Sequence, residues 1–267
     1  MSAPLLILGG SGRIGRAFAA LRARGHWPGP APVLAGRSGG DLRWQPGEAP
    51  VEGARAVVHM AGPAGSADTA ATVALARAAL DLAQGLGAPL LHVSTAAVYA
   101  PSPQPHDEDE GSAPPGGYGA ARLAAEAALG DAAWHLRLAN VAGCDSLFGA
   151  MAEGGVVLDR LPDGRAPERC WIGPLTLARV LVALADRAAA GAEPRVLNVA
   201  QPGALAMDAV LRAAGLGWTW RDAPPGALAR MALATDRLAG LVALPPATAE
   251  GLVAEARLAG WRAGPSR

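Results

Sequence analysis

Short apolar runs alternate with helical stripes along the first half of the chain. Pro4 to Leu8 has the look of a buried parallel strand. Gly12 to Arg24 follows as a helix, with Ile14, Phe18 and Leu21 at i, i+4 and i+7 and Gly25 as its stop. Val33 to Ala35, Leu42 to Trp44 and Ala56 to Met60 read as further strands, and Asp68 to Leu86 as a long helix. Leu90 to Val93 and Trp134 to Leu138 are strands on either side of a Pro- and Gly-rich loop, Pro101 to Gly117, and a helix, Tyr118 to Leu129. Such alternation specifies βαβ units, a parallel sheet and right-handed crossovers that put helices on both faces.

Beyond residue 144 the alternation loosens. Helices are expected over Leu175 to Ala189, Met207 to Ala214 and Ala247 to Leu258, with strands at Val196 to Val199 and Trp218 to Arg221. The predicted fold class is α/β, a Rossmann-type doubly wound parallel sheet with a small C-terminal lobe on the substrate side. Residues 1–145 are expected to form the dinucleotide-binding core. Residues 146–267 supply the remaining sheet elements and a reduced substrate lobe, as one compact unit with no linker.

Composition narrows the classes. A chain of 267 residues is long enough for a sizeable core. Formal net charge is zero, which leaves no electrostatic footprint for nucleic acid or anionic lipid. No apolar run reaches the roughly 18 residues of a membrane span, and Met1 to Gly10 reads as a first strand, not a signal peptide. The expected location is the cytoplasm. Cys144 and Cys170 fit no metal or redox spacing and read as buried thiols. All 23 basic residues are Arg, so an Arg here need not have been selected over Lys for its chemistry.

Gly9, Gly10, Ser11, Gly12, Arg13, Ile14 and Gly15 lie between the first strand and the first helix. In that context the spacing G-x-G-x-x-G is a dinucleotide fingerprint: backbone amides and the helix dipole favour a pyrophosphate. The second strand ends Ala35-Gly36-Arg37-Ser38, with no carboxylate for a ribose 2′-hydroxyl. Arg37 and Ser38 suit a 2′-phosphate, so NADP is preferred over NAD, and Asp41 and Leu42 are placed beside the adenine.

The two tyrosines, Tyr99 and Tyr118, close the pattern. Ser94 and Thr95 end a strand, and Tyr118 with Arg122 occupy positions i and i+4 of a helix, on one face. A phenol is a weak base at neutral pH, but a neighbouring cation favours its phenolate. Tyr118 then serves as the acid/base, with Thr95 orienting the reacting oxygen.

These motifs resemble the short-chain dehydrogenase/reductase superfamily, in its extended, NAD-dependent epimerase/dehydratase-like branch. The resemblance rests on Gly9 to Gly15, Val57 to Gly62, Ser94 to Tyr99, Pro114, Tyr118-Gly119, Glu126, Arg137, Asn140, Val141, Gly143 and Trp171 to Ala178. It implies that Met60, Ala61 and Gly62 line the cofactor and that Arg137, Asn140 and Val141 approach the nicotinamide. It implies hydride transfer between nicotinamide and a carbonyl, alcohol or nucleotide-sugar substrate, and a homodimer. Three departures stand out: Tyr-x-x-x-Arg replaces Tyr-x-x-x-Lys; the helix after Asp68 lacks an Asn, for which Thr69 or Thr72 is the expected stand-in; and the chain is short for the branch. The alternative function is a dinucleotide-binding sensor or partner protein with little or no catalysis. The acidic run His106 to Glu110 reads as a solvated loop. His59, His92 and His135 read as core or strand-end residues. Trp171, Trp218 and Trp220 read either as lining of the substrate lobe or as core.

Overall fold

The computed structural model describes residues 3–62, 65–192 and 196–264; Met1 and Ser2 of the first predicted strand lie outside them. The first half runs β1 (Leu5–Leu8), α1 (Arg13–Ala23), β2 (Val33–Gly36), β3 (Leu42–Arg43), β4 (Ala56–His59), α2 (Thr69–Gly85), β5 (Leu90–Thr95), α3 (Gly117–Leu129) and β6 (Ala133–Leu138). The second half runs β7 (Asn140–Val141), α4 (Ser146–Glu153), β8 (Val157–Arg160), β9 (Glu168–Ile172), α5 (Pro174–Ala189) and β10 (Val196–Val199). It ends with β11 (Ala204–Ala206), α6 (Met207–Ala214), β12 (Thr219–Asp222), β13 (Arg230–Met231), α7 (Asp236–Ala239) and α8 (Ala249–Leu258).

The central sheet has seven strands in the order β10-β6-β5-β4-β1-β2-β3, and every pairing in it is parallel. This is the doubly wound Rossmann arrangement. The strand order reverses at β1, so the loops after β1 and β4 part at the carboxyl edge and open a crevice there. β1, β4 and the first five residues of β5 are buried throughout, which explains their continuous apolar runs. One face packs Phe18, Leu21, Trp134 and Leu181 under α1 and α5. The other packs Leu6, Val57, Ala79 and Ala125 under α2 and α3.

β10 from the second half completes the sheet beside β6. The rest of that half builds a four-stranded sheet of β7, β9, β11 and β13, a two-stranded one of β8 and β12, and a separate core around Phe148, Trp171, Leu211 and Leu252. α4, β7, β8, β9, β11, β13 and α7 were not foreseen, because they are short and carry no clear period. No helix among the described residues is long and apolar enough to cross a membrane.

Candidate active site

The loop after β1 is tied down by two hydrogen bonds, from the amides of Gly9 and Gly10 to the carbonyl of Ala35, both 2.9 Å. Gly15 lies so close to the Gly10 backbone that any Cβ there would collide with it. α1 therefore starts against the strand, with Gly12 as an N-cap that supplies no side-chain bond. The amides of Ser11, Arg13, Ile14 and Gly15 find no protein acceptor among the described residues. The first turn holds no acid but carries Arg13 and Arg16, against the usual preference of a helix start. Open amides, the dipole and two cations fit a diphosphate.

A cavity of about 840 Å³ runs from this loop across the carboxyl edge of the sheet. Gly9, Gly12, Arg13, Ile14 and Gly15 line it at one end, with Met60 and Gly62 from the segment after β4. Ser94 and Thr95 from β5, Tyr118 and Arg122 from α3, and Asn140 and Val141 from β7 line its middle. Gly10, Ser11 and Ala61 are not among the residues that line it. Arg37 and Ser38 are exposed past the end of β2, outside the cavity wall. Gly36, just before them, packs on Ser11: a Cβ there would lie 2.9 Å from the Ser11 amide nitrogen and hydroxyl.

Asp41 is engaged within the fold. Its carboxylate accepts from Arg22 (2.5 and 2.6 Å) and from the Leu34 amide (2.9 Å), bracing α1 against β2. The Arg22 guanidinium holds that carboxyl below the usual range. Leu42 is exposed on the edge strand β3.

Tyr118 is the second residue of α3. Gly119 touches the Ala97 carbonyl so closely that a Cβ would clash, which brings the helix start onto the short 3-10 turn after Thr95. The Thr95 hydroxyl oxygen accepts from the Ala97 amide (3.2 Å), leaving its O–H free to donate. Arg122 is only 8% exposed and lies over the Tyr118 ring, 5.5 Å from its centroid. It has no carboxylate partner among the described residues. A buried guanidinium with no counterion, facing a cavity, needs a ligand to complete its bonding.

Other polar residues behave differently from expectation. Arg137 does not line the cavity. It donates to both oxygens of Glu126 and to the Tyr99 hydroxyl (2.9 Å), and that hydroxyl donates to Asn198 Oδ1 (2.9 Å). Ser94 donates to Glu126 as well. The acidic run is more than a solvated loop. His106 is buried and stacked on Tyr99, and Glu108 accepts from the Asn198 amide (2.8 Å). Nothing in the spacing of this run marks those contacts. Neither Thr69 nor Thr72 reaches the cavity, and the Thr72 hydroxyl donates to the Asp68 carbonyl. Trp171, Trp218 and Trp220 also lie off the cavity, and Trp171 Nε1 donates to Asp145 (2.6 Å).

His59, His92 and His135 stand side by side on β4, β5 and β6, paired in register. The Nδ1 atoms of His59 and His92 are 2.9 Å apart. Burial, then the Arg122 charge, pushes His59 down to about 3, and burial holds His92 well below its usual range. Burial raises both cysteines to about 12, so neither Cys144 nor Cys170 is a nucleophile at neutral pH. Residues that sequence reasoning missed include Asp145, Arg169, Leu228 and Met231, all on the cavity wall.

A family model described as "NAD dependent epimerase/dehydratase family" matches residues 47–200. The chain belongs to this family. No curated protein sequence matches it. Among solved structures, UDP-glucose 4-epimerase from Brucella ovis in complex with NAD is similar at 21% identity and a TM-score of 0.77, covering 98% of this chain and 100% of that one. DesIV, a dTDP-glucose 4,6-dehydratase from Streptomyces venezuelae with NAD and TYD bound, is similar at 20% identity and a TM-score of 0.71, with 96% of each chain covered. At these identities the likeness is one of fold. As a member of the epimerase/dehydratase family, the chain has the Rossmann-like architecture its motifs imply.

Proposed function

We propose that the chain is an NAD(P)-dependent oxidoreductase or epimerase/dehydratase-like enzyme acting on a carbonyl or alcohol, with Tyr118 as its acid/base. The observation that carries this reading is the buried Arg122 guanidinium, unpaired among the described residues and set against the Tyr118 ring at the cavity wall. The guanidinium stands beside the ring whose hydroxyl would move the proton, and its donor fork is open to ribose hydroxyls. A purely structural Arg at such depth would be paired, as Arg137 is with Glu126.

The residues fit a dinucleotide. The free amides of Ser11, Arg13, Ile14 and Gly15 would hold the pyrophosphate, and Met60, Gly62, Asn140 and Val141 would flank the rest. When bound, the nicotinamide supplies the hydride donor or acceptor. Tyr118 gives the proton to, or takes it from, the substrate oxygen, while the Thr95 O–H donates to that oxygen and fixes its place. Arg37 and Ser38, exposed beside the Ser11 loop, favour NADP through a 2′-phosphate contact.

The test is stopped-flow or steady-state oxidation of NADPH and NADH over a panel of aldehydes, ketones and nucleotide sugars. Turnover that disappears with Tyr118 supports the reading. Saturable cofactor binding with no turnover of any compound favours the non-catalytic alternative.

A further inference from the structure

Two adjoining hollows lie between α1, α4 and the end of α8. Their volumes are about 500 and 450 Å³, and they share Arg24, Gly260 and Trp261. Arg13, Ala17, Ala20 and Arg24 follow at i, i+4, i+7 and i+11, so one face of α1 walls the larger hollow. Gly149, Ala152 and Ala259 line it with nothing longer than a methyl group. Trp261 is held edge-on against Phe148, with ring centroids 5.1 Å apart, and its Nε1 donates to the Phe148 carbonyl (2.9 Å). Arg13, Arg16 and Asp145 line both this hollow and the dinucleotide cavity.

The far end of the groove is cationic. Arg24, Arg257 and Arg262, all exposed, converge on the smaller hollow. None has a carboxylate partner among the described residues, whereas the arginines at 22, 160, 165, 212 and 221 each have one. Arg24 donates to the carbonyls of Arg257 and Leu258 (3.3 and 2.6 Å), and Arg257 to that of Ala214 (3.3 Å). The carboxyl end of α8 offers about half a negative charge, against three guanidiniums. The one acid lining either hollow, Asp145, is spent on the Phe148 amide and Trp171 Nε1. In a chain of zero net charge this is a local excess of cations with no internal counterion.

We propose that this groove is a second anion site, which takes a chain of two or three phosphates between Arg24, Arg257 and Arg262. Planar guanidinium forks match phosphate oxygens in pairs. Each hollow falls within the roughly 300–1,000 Å³ of small-molecule sites. A nucleoside attached to the phosphates would lie along the Ala and Gly surface beside Trp261, where no bulky side chain obstructs a flat ring. The site is independent of Tyr118 and of the reaction assigned to it.

The experiment is calorimetric titration of ATP, inorganic tripolyphosphate and adenosine into the full chain, alone and saturated with NADPH. The proteins are wild type, Arg262→Gln, Arg257→Gln with Arg262→Gln, and Arg77→Gln on the exposed side of α2 as a control. The expected result is one phosphate chain bound per protein with NADPH present, more weakly as salt rises. Its Kd should rise about tenfold in Arg262→Gln, further in the double variant, and not in Arg77→Gln. Tighter binding of ATP than of tripolyphosphate identifies a nucleotide, and the reverse an inorganic chain. Arg262 makes no described hydrogen bond, so its variant reads binding even if the double variant is misfolded by circular dichroism. No binding of either phosphate compound to wild type, complete displacement by NADPH, or equal affinity in wild type and Arg262→Gln would overturn the proposal. The titrations without NADPH keep this test separate from the reading of Tyr118: Arg262-dependent binding with no turnover of any carbonyl would remove that reading and leave this one standing.

Discussion

Arg122 and Tyr118 form a stacked pair one helical turn apart, with the guanidinium carbon 5.5 Å from the ring centroid. The spacing i, i+4 puts them on one face of α3. The contact of Gly119 with the Ala97 carbonyl then seats that face beside Thr95. A lysine would reach the same region as a point charge, whereas Arg presents a flat fork that rests on the aromatic ring.

Tyr118→Phe should keep the stacking surface and remove only the hydroxyl. Turnover is expected to fall by about 10²–10⁴-fold, with dinucleotide affinity nearly unchanged. Unaltered kcat would take the phenol out of the mechanism.

Arg37→Ala separates the cofactors. A charge-assisted contact contributes about 1.5–3 kcal/mol, so NADPH should bind roughly 10–100-fold more weakly while NADH is little affected. Fluorescence titration reads both. Equal losses would argue against a 2′-phosphate contact.

The histidine row gives stability a pH dependence with a definite sign. His59 titrates near 3 in the folded chain, down from 6.5. The unfolded chain therefore binds more protons than the folded one below pH 6.5. Stability should fall as pH drops through that window, by about 1.4 kcal/mol per unit for each such group. His92→Leu should flatten the fall between about pH 6.5 and 4.5, above most carboxylate titration. An unchanged slope in urea denaturation at several pH values would contradict this.

Glu126→Gln leaves Arg137 buried without its counterion. The expected loss is about 3–5 kcal/mol of stability. Glu126→Leu combined with Arg137→Met should recover most of it, since no charge is then stranded. Denaturant midpoints decide between these outcomes.

Much of the framework was legible because burial on both faces leaves a plain mark in sequence. β1, β4, β5 and β6 read as apolar runs, and the glycines from Gly9 to Gly15 announce a close backbone approach. What could not be read was polar matter buried by long-range partners. Arg137 and Glu126 are 11 residues apart in the chain, and Tyr99 finds Asn198 across 99. The in-register meeting of His59, His92 and His135 depends on strand order, which no local pattern encodes. Arg169 stands in a stretch with Arg165 and Glu168 that looks solvated until β9 is flanked by β11 and β13.

The most direct test of the account is titration of NADPH into wild type and Arg122→Ala, with circular dichroism to confirm that both are folded. Saturable one-to-one binding by wild type, weakened at least about tenfold by the loss of this charge-assisted contact, is the predicted result. Equal affinity in the two proteins would contradict it, because the buried guanidinium would then have no part in holding the dinucleotide.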